Sequence, residues 1–269
     1  MGYQNRQPPE HINAQTEPWV GDLLKRLALV LGVIALSMLL LLYALTELAR
    51  FSPFVWERRL ANGWTEAEQP DNEKADELQR LADQLARAGG LDPALSVTLH
   101  YNADDTVNAF ATLGGHLLIF QGLLDALESE QALAFVLAHE IAHVQRRHPI
   151  QSAARQLGLS LSLALVFGQS DLTTLAGTGG SLALLNYSRH FEQDADAWAY
   201  RAVYRHYGHL NGSAELFEQL ASSEELAPAW MATHPHAQDR LAAREALASE
   251  NGWPLTGELA PMPAILKQP

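Results

Sequence analysis

The sequence predicts an α+β fold, in which a mainly helical domain with a small β-sheet or hairpin follows one N-terminal transmembrane helix. Three observations support this prediction. Residues 27–46 contain no charged side chain, and residues 72–90 place apolar side chains at helical spacing. Residues 95–120 contain short apolar stretches, the first of them alternating, as is typical of strands.

The uncharged run from Leu27 to Thr46 is long enough to cross a bilayer. A helix of its 20 residues spans roughly 30 Å, which matches the hydrocarbon thickness. A cleavable signal peptide has a shorter apolar core and a small-residue cleavage site, and a core helix of a soluble domain keeps a polar face. We therefore interpret residues 27–48 as an uncleaved anchor, which contacts the lipid bilayer through residues 27–46 and follows a polar tail of residues 1–26.

The orientation of this anchor is not fixed by charge, because basic residues flank both ends. Lys25 and Arg26 precede the run, and Arg50, Arg58 and Arg59 follow it. A single anchor near the N-terminus with a large domain after it more often leaves the short tail in the cytoplasm. We therefore predict a single-pass membrane protein whose C-terminal domain is periplasmic or otherwise extracytoplasmic.

Three further segments follow the anchor. Residues 49–71 are interpreted as a juxtamembrane linker, residues 72–253 as the main domain, and residues 254–269 as a Pro-rich extended tail. The main domain should open with an amphipathic helix that ends at Gly89-Gly90, a pair typical of helix termini.

Strand patterns follow this first helix. Apolar side chains alternate over residues 95–101, which predicts a strand. Residues 107–113 and 116–120 are then joined at Gly114-Gly115, which predicts a β-hairpin.

Two later segments are apolar but too short to cross a bilayer, residues 157–168 and 174–185. They are interpreted as packed core segments, with a hairpin at the membrane surface as the alternative. A last long helix is predicted over residues 184–206.

Composition excludes several classes of function. The net charge is −13, which argues against a nucleic-acid partner, because phosphate binding requires a basic surface. The chain has no cysteine, so disulfides, thiolate metal sites and a cysteine nucleophile are excluded. Imidazole and carboxylate groups are therefore the strong metal ligands that the chain can offer.

The strongest chemical signal is the sequence His139-Glu140-Ile141-Ala142-His143, within a helix predicted from Ser129 to about Arg147. Residues four apart share one helix face, so His139 and His143 can bind one metal ion. Zinc lowers the pKa of a bound water to about 7, and the Glu140 carboxylate can take its proton. This pattern predicts one zinc ion, with His139 and His143 as ligands and Glu140 as the catalytic base.

A third protein ligand is needed beside an open position. His148 stands one residue too early for a metzincin site, so we interpret it as a solvated residue at the helix end. Glu192 is the better candidate for the ligand. Asp196 lies four residues on and can accept the second N–H of a metal-bound imidazole, whereas Asp194 points elsewhere and is interpreted as solvated.

Taken together, these residues resemble the HtpX-like zinc metallopeptidases, a gluzincin family that includes CAAX prenyl endopeptidases and periplasmic quality-control proteases. The resemblance covers about residues 72–245. The matching blocks, in the order of the family, are Asn108-Ala109-Phe110-Ala111 with Gly114-Gly115, His139 to His143, Ser188-Arg189 with Glu192 and Ala195-Asp196, and Thr233-His234-Pro235 with Arg240.

The resemblance implies a zincin-type metallopeptidase domain with Glu192 as the third zinc ligand. It also implies that His234 faces the metal, where it could stabilise the oxyanion of the tetrahedral intermediate or occupy the open zinc position in a resting state. Arg189 and Arg240 are expected to brace the active-site helices through ion pairs.

We therefore predict a membrane-anchored zinc endopeptidase that acts on unfolded or misassembled proteins in quality control. A free edge of the strand containing Asn108, Ala109, Phe110 and Ala111 can bind an extended peptide, which would give broad specificity. The alternatives are a non-catalytic, zinc-stabilised chaperone or assembly factor, a CAAX-type processing enzyme, which the single anchor disfavours, and a zinc hydrolase of small molecules.

Overall fold

The computed structural model describes residues 19–61, 72–167, 187–222, 230, 233–234 and 240–268. Within this part of the chain, one helix, α1 (Trp19–Ala49), is long and apolar enough to cross a membrane. The segment 174–185 lies outside the described residues, as do residues 1–18 of the predicted tail and Pro235.

Most of the described chain is helical, and the α+β fold class is confirmed. The helices after α1 are α2 (Phe54–Ala61), α3 (Asn72–Gly89), α4 (Gln121–Ala126), α5 (Glu130–Gln145), α6 (His148–Phe167), α7 (Arg189–Tyr207), α8 (Glu215–Ser222) and α9 (Arg240–Asn251). The strands are β1 (Thr98–Asn102), β2 (Ala109–Ala111) and β3 (His116–Phe120), in the spatial order β1-β3-β2.

The predicted hairpin is present. β2 and β3 pair antiparallel, with Ala109 opposite Ile119 and Ala111 opposite Leu117. The turn requires glycine, because Gly114 and Gly115 have φ values of 77° and 80°, and a Cβ on Gly115 would lie 2.0 Å from the Ser96 carbonyl oxygen. β1 pairs parallel to β3, so β2 lies at an edge of the sheet.

The core lies between α3, α5, α7 and the sheet. Leu78, Leu85, Leu133, Leu137 and Ala199 are fully buried in it. Every residue of α5 from Gln131 to Val144 is buried, because other elements pack around this helix on all sides. A helix covered in this way holds its side chains in fixed positions, which suits a binding site.

Two segments differ from a simple linker and tail. Residues 54–61 of the predicted linker form α2, whose Glu57 and Ala61 are buried. Residues 254–268 have little regular secondary structure apart from a 3-10 turn at Ala264–Lys267, and they pack against the domain, where Met262 and Leu266 join the core. The Gln268 carbonyl accepts a hydrogen bond from the buried Lys74.

Candidate metal centre

Helix α5 presents two histidine side chains to one point. His139 and His143 lie one turn apart and are fully buried, and their Nε2 atoms are 3.0 Å apart. The helix starts at Ser129, whose Oγ accepts a hydrogen bond from the Ala132 N–H. The sequence therefore places both imidazoles through helical spacing alone.

Helix α7 supplies a carboxylate to the same point. Glu192 Oε2 lies 3.4 Å from His139 Nε2, and Glu192 Oε1 lies 3.4 Å from His143 Nε2. Burial opposes ionisation of this group, but the neighbouring His234 and His139 rings outweigh it and hold the pKa of Glu192 well below its usual value. A lowered pKa favours the ionised carboxylate, which is the form that can bind a metal ion.

A third histidine completes the cluster. His234 is fully buried, and its Nδ1 lies 3.3 Å from both His139 Nε2 and Glu192 Oε2. Its ring stacks on Trp230, with a centroid separation of 4.4 Å. The structure thus brings together one ligand atom from each of His139, His143, Glu192 and His234, all within 4.8 Å of one another.

The donor set fits a tetrahedral zinc ion. Bonds of about 2.0–2.1 Å to four ligands place those ligands about 3.3 Å apart. Neighbouring ligand atoms in the cluster are 3.0 to 3.4 Å apart, with Glu192 facing His139 and His234 through Oε2 and His143 through Oε1. Glu192 Oε1 is buried without a hydrogen bond, and a buried carboxylate oxygen requires a polar or metal partner. Three imidazoles and one carboxylate are also a ligand type that zinc favours.

Asp196 and Arg240 lie behind His139. His139 Nδ1 donates to Asp196 Oδ1 at 2.9 Å, which leaves its Nε2 free for the metal. Arg240 Nε donates to Asp196 Oδ2 at 2.7 Å, and Arg240 Nη1 lies 3.3 Å from Glu192 Oε2. Although burial opposes ionisation, Arg240 and His139 hold the pKa of Asp196 below its usual value.

The second predicted bracing residue has a different position. Arg189 is exposed and lines a cavity of about 260 Å³ together with Glu192, Asp196 and Arg240. Its predicted ion-pair role stays a prediction. Asp194, predicted to be solvated, is partly exposed beside His190.

Glu140 points into the cluster. Its side chain is fully buried and accepts no side-chain hydrogen bond, and the Ala111 backbone N–H lies beside it. Its Oε1 lies 3.4 Å from His234 Nε2. Burial raises the pKa of Glu140, although the nearby His234 and His139 rings lower it in part. A carboxyl group with a raised pKa beside a metal cluster is suited to accept a proton.

The edge strand β2 turns two residues towards this cluster. Asn108 and Thr112 hydrogen-bond to β3, so the alternating residues Ala109 and Ala111 point their backbone groups away from the sheet. The Ala109 carbonyl accepts a hydrogen bond from His234 at 3.2 Å. The Ala111 carbonyl accepts one from the Tyr187 hydroxyl at 3.1 Å.

The interpretation of His148 as a solvated residue is wrong. Its side chain is buried, its Nδ1 lies 2.9 Å from His143 Nδ1, and its ring stacks on Phe191. The cause is Arg147, whose left-handed conformation (φ 59°) ends the helical path and turns His148 inwards. Arg147 Nε donates to Glu57 Oε1 at 2.7 Å, which holds the turn.

His148 has the position of a hydrogen-bond partner for the second histidine ligand. Burial lowers the pKa of His148 to about 3, so its ring is neutral and its Nδ1 can accept the His143 Nδ1–H. This bond would direct His143 Nε2 to the metal. Sequence spacing could not identify it, because the turn at Arg147 interrupts the helical period.

We expect His148→Ala to lower zinc affinity by about 10–100-fold, because the His143 ring loses the partner that fixes its orientation. The measurement is a competition titration against a zinc-binding dye. His190→Ala is the matched control, since His190 is an exposed histidine beside the same region. Equal zinc affinities in both variants would contradict the role of His148.

Comparison with known proteins agrees with this geometry. The model of peptidase family M48 matches residues 72–248, about two thirds of the chain. A helical domain with two histidines on one helix and a carboxylate on a later helix has the architecture of a gluzincin metallopeptidase. The chain belongs to peptidase family M48.

Relatives share this domain. A Vibrio cholerae protein, provisionally named a beta-barrel assembly-enhancing protease, is 32% identical over 179 residues, covering 61% of this chain and 37% of that protein. The mitochondrial metalloendopeptidase OMA1 of Schizosaccharomyces pombe is 29% identical over 175 residues, covering 61% of this chain and 50% of that protein. The beta-barrel assembly-enhancing protease of Escherichia coli is 29% identical over 155 residues, covering 52% and 32%. The chain spans half or less of the length of these relatives.

Proposed function

We propose that this protein is a membrane-anchored, zinc-dependent endopeptidase that hydrolyses unfolded or misassembled proteins. The observation that carries the proposal is the buried cluster of His139, His143 and Glu192, beside a Glu140 carboxyl group that accepts no side-chain hydrogen bond. A zinc ion bound there would act as a Lewis acid on a peptide carbonyl and would lower the pKa of a bound water.

The remaining functions are metal binding, orientation of His139 and proton transfer, and each is assigned to particular residues. His139, His143 and Glu192 hold one metal ion, and Asp196, braced by Arg240, orients His139. Glu140 accepts the proton of the attacking water and can deliver it to the leaving amine. Because the fully buried side chain of Glu140 accepts no side-chain hydrogen bond, its carboxylate is available for this transfer.

The substrate binds as an added strand on the outer edge of β2, formed by the segment Asn108-Ala109-Phe110-Ala111. Support comes from Ala109 and Ala111, whose backbone groups face the cluster rather than β3. Pairing through backbone hydrogen bonds depends little on the side chains of the substrate, so strand addition suits unfolded chains of many sequences. Relatives named beta-barrel assembly-enhancing proteases support misassembled proteins as substrates.

We expect Ala111→Pro to reduce kcat/KM by about tenfold or more, because proline removes an N–H that would pair with the substrate. The same N–H lies beside the Glu140 carboxyl group, so its loss would act in the same direction. Proline is tolerated at a sheet edge where the N–H does not face the neighbouring strand, so the domain should still fold. The matched control is Ala111→Ser, which keeps the N–H. Full activity in the proline variant, at unchanged zinc content and melting temperature, would count against strand addition.

His234 would close the site at rest, because it could take the position that a bound zinc ion leaves open. Three contacts support this role. Its Nδ1 lies at ligand spacing from His139 and Glu192, and its other ring nitrogen is hydrogen-bonded to the Ala109 carbonyl on the proposed substrate edge. The same side chain therefore blocks the metal and the strand edge together. Stabilisation of an oxyanion is the alternative role, and it requires His234 to leave this position.

The function is tested by incubating the full chain with the same protein in folded and unfolded forms, such as native and reduced, alkylated lactalbumin. We expect cleavage of the unfolded form and little cleavage of the folded form. Binding of the unfolded form without cleavage, at full zinc occupancy, would favour the non-catalytic chaperone instead. The location of the domain outside the cytoplasm is tested separately. Protease is added to cells whose outer envelope is permeabilised but whose cytoplasmic membrane is intact, and digestion of the domain is followed.

A further inference from the structure

Helix α2 leaves large apolar side chains exposed on its outer face. Its inner face carries the Glu57 carboxylate, which is 2% exposed, between the half-buried Phe54 and the buried Ala61. Its outer face carries Val55, Trp56 and Leu60, which are 47%, 56% and 68% exposed. A surface helix in water usually turns its large apolar side chains inwards. The nearby Phe51 is 70% exposed and adds to this apolar surface.

The orientation of α2, with Glu57 facing inwards, is held by specific contacts. Arg147, at the end of the metal-binding helix, donates to Glu57 Oε1 at 2.7 Å, and its other guanidinium nitrogens bond to the Ser52 and Arg50 carbonyls. The Gly114 N–H points to Glu57 Oε2 at 3.4 Å. Because Glu57 is bound on two sides, α2 cannot rotate to bury its apolar face without breaking a buried ion pair.

We infer that the outer face of α2, formed by Phe51, Val55, Trp56 and Leu60, lies in the surface layer of the lipid bilayer. Helix α1, the candidate membrane helix, ends at Ala49, and α2 begins at Phe54. Such a short connection keeps α2 within reach of the membrane boundary. The inference rests on the membrane anchoring in the proposed function.

The composition of α2 fits a lipid surface better than a protein partner. Aromatic side chains are enriched at the membrane–water boundary, where Trp56 and Phe51 would lie. Arg58 and Arg59 are exposed on the same short helix and can reach anionic headgroups. Glu57 joins α2 to Arg147, in the turn before His148, and to Gly114, in the β2–β3 turn. Insertion of α2 into the bilayer surface would therefore hold the metal centre at a fixed orientation to that surface.

The absence of cysteine allows a clean labelling experiment. Three single-cysteine variants of the full chain, Trp56→Cys, Leu36→Cys and Leu259→Cys, each carry one environment-sensitive fluorophore. Leu36 lies within the anchor, and Leu259 is an exposed leucine, 44% accessible, in the C-terminal segment. Each protein is placed at one copy per nanodisc of zwitterionic and anionic phospholipid, and quenching by iodide and by nitroxide lipids is measured.

We expect the label at position 56 to lose iodide quenching several-fold relative to position 259 and to be quenched by lipids with a nitroxide near the headgroup. Position 36 should be quenched by nitroxides deep in the acyl chains. Iodide access at position 56 equal to that at 259, with position 36 protected, overturns the inference alone. Iodide access at position 36 overturns the membrane anchor as well. If position 56 is protected from iodide only with two copies per nanodisc, the outer face of α2 binds a second copy of the chain. That result also overturns the inference.

Discussion

Glu140→Gln should abolish cleavage of unfolded protein while leaving the bound zinc in place. Loss of a general base lowers the rate by about 10²–10⁴-fold, because the amide cannot take the proton from the attacking water. The amide has nearly the same shape as the carboxyl group, and Glu140 is not among the four clustered ligand residues. The measurement is kcat/KM on an unfolded substrate, with zinc content determined on the same sample.

Glu130→Gln is the control for this experiment. It makes the same change on the same helix, at a residue whose carboxylate accepts a hydrogen bond from the Tyr207 hydroxyl. We expect this variant to retain activity. A Glu140→Gln variant that binds zinc and cleaves at the wild-type rate would show that another group acts as the base.

His234→Ala should raise activity, in contrast to Glu140→Gln. If the closed arrangement predominates and the open state is about 0.1–10% populated, removing the blocking ring raises kcat/KM by about tenfold or more. The variant frees the fourth metal position and the Ala109 carbonyl in one step. The measurement compares initial rates of wild type and variant at equal zinc occupancy.

The opposite result separates the two roles proposed for His234. A fall in kcat with an unchanged KM would identify His234 as an oxyanion-stabilising residue and contradict the closed resting state. His190→Ala serves as the control, because its side chain is 78% exposed.

The parts of the site that the sequence predicts are those set by local spacing. His139 and His143 follow from the helical period, and the Gly114-Gly115 pair indicates the turn of the hairpin. The N-terminus of α5 follows from Ser129 as its capping residue. These features depend on a few neighbouring residues, so one chain is enough to identify them.

The rest depends on tertiary contacts. His148 turns inwards because Arg147 is held by Glu57, 90 residues earlier in the chain. Residues 54–61 fall within the predicted linker, but in the structure they form α2. Its orientation depends on the contacts of Glu57 with Arg147 and Gly114, which lie 90 and 57 residues later in the chain.

Glu192 and His234 represent an intermediate case. Spacing on one helix suggested Glu192 with Asp196, and the resemblance to known metallopeptidases suggested His234. Neither observation shows how far these groups lie from His139. The structure supplies the distances of 3.3 Å from His234 and 3.4 Å from Glu192 to His139 Nε2, which are typical of neighbouring ligands around a zinc ion.

The most direct test of this account is a zinc titration of the metal-free full chain, run with the wild type and with His234→Ala, while cleavage of unfolded protein is followed. The account predicts no cleavage without metal, and activity that rises linearly and reaches its plateau at about one zinc per chain, with the higher plateau in His234→Ala. Cleavage by the metal-free protein, or two fully loaded proteins that both fail to cleave, would contradict it.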